Sequence, residues 1–134
     1  MISFRKAHIE DLSQIVGMLA SDPLGKLRED FRTPLPEPYL QAFRQIDQDP
    51  NQELMVVENE FQEIIGTLQL TFIPYLTYQG GIRAQIEAVR VHQDHRGKGL
   101  GETLFKWAIQ RAKEKGAHLI QLTTDKKRPD AIRF

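Results

Sequence analysis

The chemistry of this sequence concentrates in one short stretch, Arg96-Gly97-Lys98-Gly99-Leu100-Gly101. Glycines at alternate positions let a backbone turn tightly and approach a ligand with no side chain in between. Arg96 and Lys98 add two cations. A helix starting near Gly99 leaves its first N–H groups unpaired and carries partial positive charge at that end. Together these form a cradle for a pyrophosphate, in which each charge-assisted hydrogen bond contributes about 1.5–3 kcal/mol. The other reading of the loop alone is a surface turn whose glycines cap a helix and whose cations are solvated. Two rival phosphate motifs do not fit. The dinucleotide fingerprint needs G-x-G-x-x-G, and the spacing here is G-x-G-x-G. A P-loop needs Lys-Ser or Lys-Thr after its last glycine, where Glu102 stands.

The elements that must hold this loop can be read on both sides of it. Ile82 to Val91 predicts a long strand, with Ile82, Ala84, Ile86 and Ala88 on one face and Arg83, Gln85, Glu87, Val89 and Val91 on the other. After the loop, Leu100, Leu104, Trp107, Ala108 and Ala112 make the apolar stripe of a helix, with Glu102, Lys106 and Gln110 outside it. Lys113, Lys115 and Gly116 supply a cationic last turn and a glycine stop. Upstream, Ile2 to Lys6 predicts a strand and Glu10 to Ala20 a helix. Ser21 to Pro38 predicts a loop ending where Pro36 or Pro38 opens a helix to about Asp47. Glu53 to Glu58 and Ile64 to Ile73 predict two more strands, and Pro74 to Gly81 a turn. His118 to Thr123 predicts a further strand, and Arg128 to Phe134 the start of a helix.

The chain of 134 residues fits one domain, 1–134. With 40% hydrophobic and 27% charged residues it can bury a core and solvate its surface. Lys plus Arg number 18, as do Asp plus Glu, and this balance argues against a dedicated nucleic-acid or membrane binder. There is no cysteine, which removes disulfides, thiolate nucleophiles and cysteine metal sites. The N-terminus lacks a signal-peptide core and no apolar run approaches the ~20 residues of a membrane span, so a cytoplasmic protein is expected. His92 and His95 flank the loop without a carboxylate cluster, so no metal site is expected and both read as surface or loop-packing residues.

Val89-Arg90-Val91 followed by Arg96 to Gly101 resembles the acetyl-CoA signature of the GCN5-related N-acetyltransferase (GNAT) family, Gln/Arg-x-x-Gly-x-Gly/Ala after a Val-x-Val strand end. Arg96, Gly99 and Gly101 fill its named positions. The element order β-α-α-β-β-β-α-β-α also resembles that fold, as does Arg5-Lys6-Ala7 before an acidic first turn. The resemblance implies an α/β (α+β) fold, a mixed and mostly antiparallel sheet flanked by helices. It implies an acetyl-CoA-dependent N-acetyltransferase, with acetyl-CoA as co-substrate and a small-molecule or protein amine as acceptor. The alternative is an acyl-CoA-binding module with little or no turnover.

By the same resemblance the pyrophosphate lies over the amides of residues 97 to 102, Arg96, Gly97, Lys98, Gly99, Leu100, Gly101 and Glu102 being the loop's cofactor residues. The pantetheine arm pairs with Val89, Arg90 and Val91, which must splay from the strand at 118–123. A backbone N–H of Val89 or Arg90 would stabilise the thioester's developing oxyanion. An alkylamine is neutral in only about one molecule in 2,500 at pH 7, a deficit of about 4.6 kcal/mol. Glu87 is the candidate base; the other reading is a surface or arginine-paired carboxylate. Tyr75, Tyr78 and Asp125 are candidates for the acceptor site, which the 21–38 loop and the 73–81 turn would build. Asp22, Glu29 and Asp30 suggest a cationic acceptor unless they are solvated. Trp107 reads as core, and Lys126, Lys127 and Arg128 as phosphate neighbours or a solvated turn.

The family's closing helix continues Ala-x-x-Phe-Tyr, and here Ala131 and Phe134 match its start where the sequence ends. The family's tyrosine acid and last strands would then be missing: either the chain is C-terminally truncated relative to the family, or it completes its sheet by other means. The strand at 118–123 would keep an open edge, so a homodimer through that edge is expected.

Overall fold

The computed structural model describes residues 1–122 and the backbone of residues 130–133. The chain opens with β1 (Ser3–Lys6), a 3-10 turn at Ile9–Asp11 and α1 (Leu12–Ala20). A short α2 (Gly25–Arg28) interrupts what the prolines predicted as plain loop. Then follow α3 (Glu37–Gln48), β2 (Gln52–Glu58), β3 (Ile64–Pro74) and a one-turn α4 (Thr77–Gly80) in which Tyr78 and Gln79 are left-handed. β4 (Ile82–Val91), α5 (Leu100–Glu114), β5 (Leu119–Leu122) and β6 (Asp130–Arg133) complete it. Pro38 lies in the first turn of α3, where its missing N–H is no loss.

The strands form one sheet in the order β1-β2-β3-β4-β5-β6. Every neighbouring pair is antiparallel except β4 and β5, which are parallel and joined through α5. Each sheet face has its own core. On one, Leu68, Leu70, Phe72 and Ile86 pack against Leu104, Ala108 and Ala112 of α5. On the other, Val56 and Ile64 pack against Leu12, Ile15 and Val16 of α1 and Phe43 of α3. Trp107 stacks on Phe4 with ring centroids 4.7 Å apart, confirming its place in the core.

Two ion-pair clamps fix the layers. Arg5 donates to both carboxylate oxygens of Asp11, at 2.7 and 3.0 Å, and to Glu58 at 2.5 Å. Asp11 also accepts the His8 N–H at 2.7 Å, which caps the turn into α1 as its position three residues after His8 predicts. Arg111 of α5 forks onto the buried Glu53 of β2, at 2.6 and 2.9 Å.

The end of the chain differs from the expectation. Residues 130–133 form β6, not the start of a helix, with Leu119↔Arg133 and Leu122↔Asp130 in antiparallel register. The reason is the open edge of β5, whose backbone donors and acceptors β6 satisfies. The β5 edge expected to pair with a second chain is therefore occupied over 119–122 by this chain itself. Among the described residues no helix is long and apolar enough to cross a membrane.

Candidate active site

Among the described residues β4 and β5 run paired from Arg83↔Leu119 to Ile86↔Leu122. From Glu87 onward β4 is paired to β3 alone among the described strands. Alternate N–H and C=O groups of a strand point to each side. A cleft of about 540 Å³ lies alongside this stretch. β4 lines it with Glu87 to Arg90, β5 with Leu122 and α5 with Phe105.

A bulge shapes the cleft wall. β3 and β4 pair at Thr67↔Arg90 and at Gln69↔Glu87, so Ala88 and Val89 together oppose Leu68 alone. Ala88 takes the extra residue with a φ of +55°. This reverses the face pattern read from the sequence. Ile86, Val89 and Val91 all pack toward the α5 side, whereas Glu87, next to Ile86, turns to the α1 side. Glu87 and Val89 thus do not share a face, because the bulge inserts an odd residue between them.

Glu87 lies half-buried in the cleft wall, and its Oε1 accepts from Gln85 Nε2 at 3.2 Å. The opposite wall comes from α1 and α2: Leu19, Asp22, Arg28 and Glu29. Arg90 Nε lies 3.0 Å from Asp22 Oδ2, an ion pair across the cleft, although its N–H is not aligned for a hydrogen bond. The Gly25 N–H above all, aided by Arg90, Arg28 and Arg96, holds the Asp22 carboxyl below its usual range despite partial burial. Tyr39 of α3 donates its hydroxyl to Glu29 Oε1 at 2.7 Å.

The glycine loop follows β4 directly. Gly97 and Gly99 have φ of +79° and +77°, which only glycine adopts without strain, and Gly99 caps α5. Gly101 is different. Its φ is ordinary, and a Cβ there would meet nothing within 4 Å. Neither backbone strain nor a close neighbour requires a glycine at 101. Arg96 is a strut, reaching the Val91 carbonyl at 3.2 Å and Ser21 Oγ at 3.3 Å. His92 accepts the Asp94 N–H and packs at 6.0 Å from His95, a loop role. No group of three metal-binding side chains exists among the described residues.

The other sequence candidates lie elsewhere. Tyr75 and Tyr78 stand before the first residue of β4, about 20 Å along the strand from Ala88, and neither lines the cleft. They pack instead around His118, which is hydrogen-bonded to the Tyr75 hydroxyl. Asp30 is exposed and paired with Arg32 at 3.3 Å. Asp125, Lys126, Lys127, Arg128 and Phe134 lie outside the described residues. The Glu29–Tyr39 pair carries no sequence signal, since ten residues and a proline-rich loop separate them.

The model of the acetyltransferase (GNAT) family matches residues 14–134. The chain belongs to that family. Relatives of this GNAT protein agree on its fold. A protein from Bacillus halodurans C-125, named transcriptional regulator, is 55% identical, with a TM-score of 0.89 over 96% of this chain and 85% of that one. A predicted acetyltransferase from Clostridium acetobutylicum, solved with acetyl-CoA, is 22% identical over 94% and 82%, with a TM-score of 0.70. In sequence, 72 residues are 35% identical to an aminoalkylphosphonate N-acetyltransferase of Salmonella typhimurium. That match covers 54% of this chain and only 46% of the relative.

The residues present fit acetyl-CoA. Open space at glycines 97, 99 and 101 lies at a helix N-terminus, at the end of the strand that lines the cleft.

Proposed function

We propose that this protein transfers the acetyl group of acetyl-CoA to a primary amine by direct attack of the amine. The observation that carries this is the cleft along Glu87 to Arg90 of β4, with the glycine loop at the end of the same strand. Bound acetyl-CoA supplies an acyl carbon activated by its thioester.

The chain's own residues do the rest. Amides of residues 97 to 102 hold the pyrophosphate, with Lys98 adding charge. The backbone of Val89 to Val91 orients the pantetheine arm as an added strand. A backbone N–H at Val89 or Arg90, next to the bulge, offsets negative charge on the acyl oxygen. Glu87, on the α1 side of β4, removes the proton of the incoming ammonium. The acceptor enters between β4 and the α1–α2 wall. The relative named above acts, by its name, on aminoalkylphosphonates, and a primary amine on a short chain is the acceptor class we take for this cleft. Arg28 and Arg90 are cations suited to an acidic tail on it.

The test is release of CoA thiol from acetyl-CoA with a panel of amines that includes 2-aminoethylphosphonate. Amine-dependent release supports the reading. Acetyl-CoA binding without release for any amine supports a binding module instead.

A further inference from the structure

Among the described residues the cleft holds three carboxylates, and they are not equivalent. Asp22 is engaged by the Gly25 N–H and by Arg90. Glu87 belongs to β4, beside the bulge. Glu29 comes from the far wall, just past α2, and is gripped from a different element. The Tyr39 hydroxyl donates to its Oε1 at 2.7 Å and accepts the Asp30 N–H at 3.0 Å. Burial chiefly, with Glu29 and Asp30 nearby, raises the Tyr39 pKa, so the phenol stays a donor throughout the working range. Glu29 Oε2 is 3.9 Å from Arg28 Nε, beyond hydrogen-bond distance. One oxygen is thus hydrogen-bonded by Tyr39, while the other makes a long ion pair with Arg28 at the cleft wall.

We infer that Glu29 receives the acceptor's ammonium group on entry, and that Tyr39 is the positioning residue that aims it. This rests on the amine-acceptor reading above and assigns the two walls different tasks. Glu29 binds the charged amine; Glu87 takes its proton. A carboxylate beside an ammonium favours the charged form, so Glu29 aids capture and works against deprotonation. That opposition gives the pair a signature that a purely structural clamp lacks.

Glu29→Gln keeps a carbonyl oxygen for Tyr39 and removes only the charge. Titration of 2-aminoethylphosphonate, ethanolamine and putrescine into the CoA-saturated protein should show binding about tenfold weaker in Glu29→Gln. Ethylphosphonate, which lacks the amine, should not distinguish the two proteins. Tyr39→Phe should weaken amine binding about threefold. Neither variant should change acetyl-CoA affinity. In turnover, the rise of kcat with pH should move to lower pH in Glu29→Gln, because the bound amine loses a group that held its proton. If none of the three amines binds the wild type, or if Glu29→Gln binds them as the wild type does, the inference is overturned. If amine binding depends on Glu29 but no CoA is released, the inference stands and the transferase reading falls.

Discussion

Ile86 and Leu122 form the last pair that joins β4 to β5 among the described residues, and the next residue, Glu87, stands with Ile86 in the cleft wall. The placement follows from the sheet. The cleft runs along β4 from there to Arg90, and a ligand with its own amides can pair with a strand's backbone where it lies alongside. Glu87 sits at the start of that stretch, on the face turned toward α1.

Glu87→Gln tests that placement. The variant should bind acetyl-CoA as the wild type does and lose about 10²–10⁴-fold in kcat, the usual contribution of a general base. An unchanged kcat, measured by thiol release with a saturating amine, would remove Glu87 from the mechanism.

The glycines separate fold from ligand. Gly101 lies inside α5 with an ordinary φ and open space around it. Gly101→Gln should therefore stabilise the protein by about 0.5 kcal/mol, since Gln is the better helix former, and still abolish acetyl-CoA binding. Gly99→Trp should abolish binding too, but with a loss of about 1–2 kcal/mol from the left-handed backbone. Thermal melts paired with calorimetric titration distinguish the two. A Gly101→Gln protein that binds acetyl-CoA normally would mean the space at 101 is not used.

Ala88 carries the bulge at a φ of +55°. Ala88→Gly should relieve that backbone and stabilise by about 1 kcal/mol. Ala88→Val places a branched side chain where φ disfavours it and should destabilise by a comparable amount and lower kcat, because the amides of Val89 and Arg90 would shift. Urea unfolding gives the first quantity and thiol release the second.

Asp11 predicts an acid-sensitive fold. Arg5 chiefly, with the His8 amide, holds its carboxyl below the usual range against the effect of burial. A depressed folded-state pKa contributes stability that is complete above the unfolded value, about 4, and is lost as pH falls through the folded value. Asp11→Asn should cost about 2 kcal/mol at pH 7, and the difference from wild type should shrink below about pH 4. A difference that stays constant to pH 2 would contradict the assignment.

Much of the site was legible in the sequence because its parts are local. The loop from Arg96 to Gly101, the strand before it and the striped helix after it each carry their signal within a few residues. The bulge at Ala88 was not legible. Apolar residues fill both faces near the end of β4, so alternation gives no sign where an extra residue shifts the register. That is why Glu87 and Val89 read as neighbours on one face. The location of Tyr75 and Tyr78 depends on which end of β4 opens, a tertiary fact. The strand at 130–133 answers the free edge of β5, a long-range demand that helical spacing around Ala131 does not record. Glu29 and Tyr39 meet through a tertiary contact between the residue after α2 and the first turn of α3.

The central claim, that the cleft between β4 and β5 takes acetyl-CoA for amine acetylation, is tested most directly by calorimetric titration of acetyl-CoA. The titration should be run on the wild type and on Gly101→Gln, followed by an amine-dependent thiol-release assay on the same wild-type sample. The account predicts saturable one-to-one binding to the wild type, none to the variant, and CoA release that requires an amine. No binding to the wild type at millimolar acetyl-CoA would contradict it.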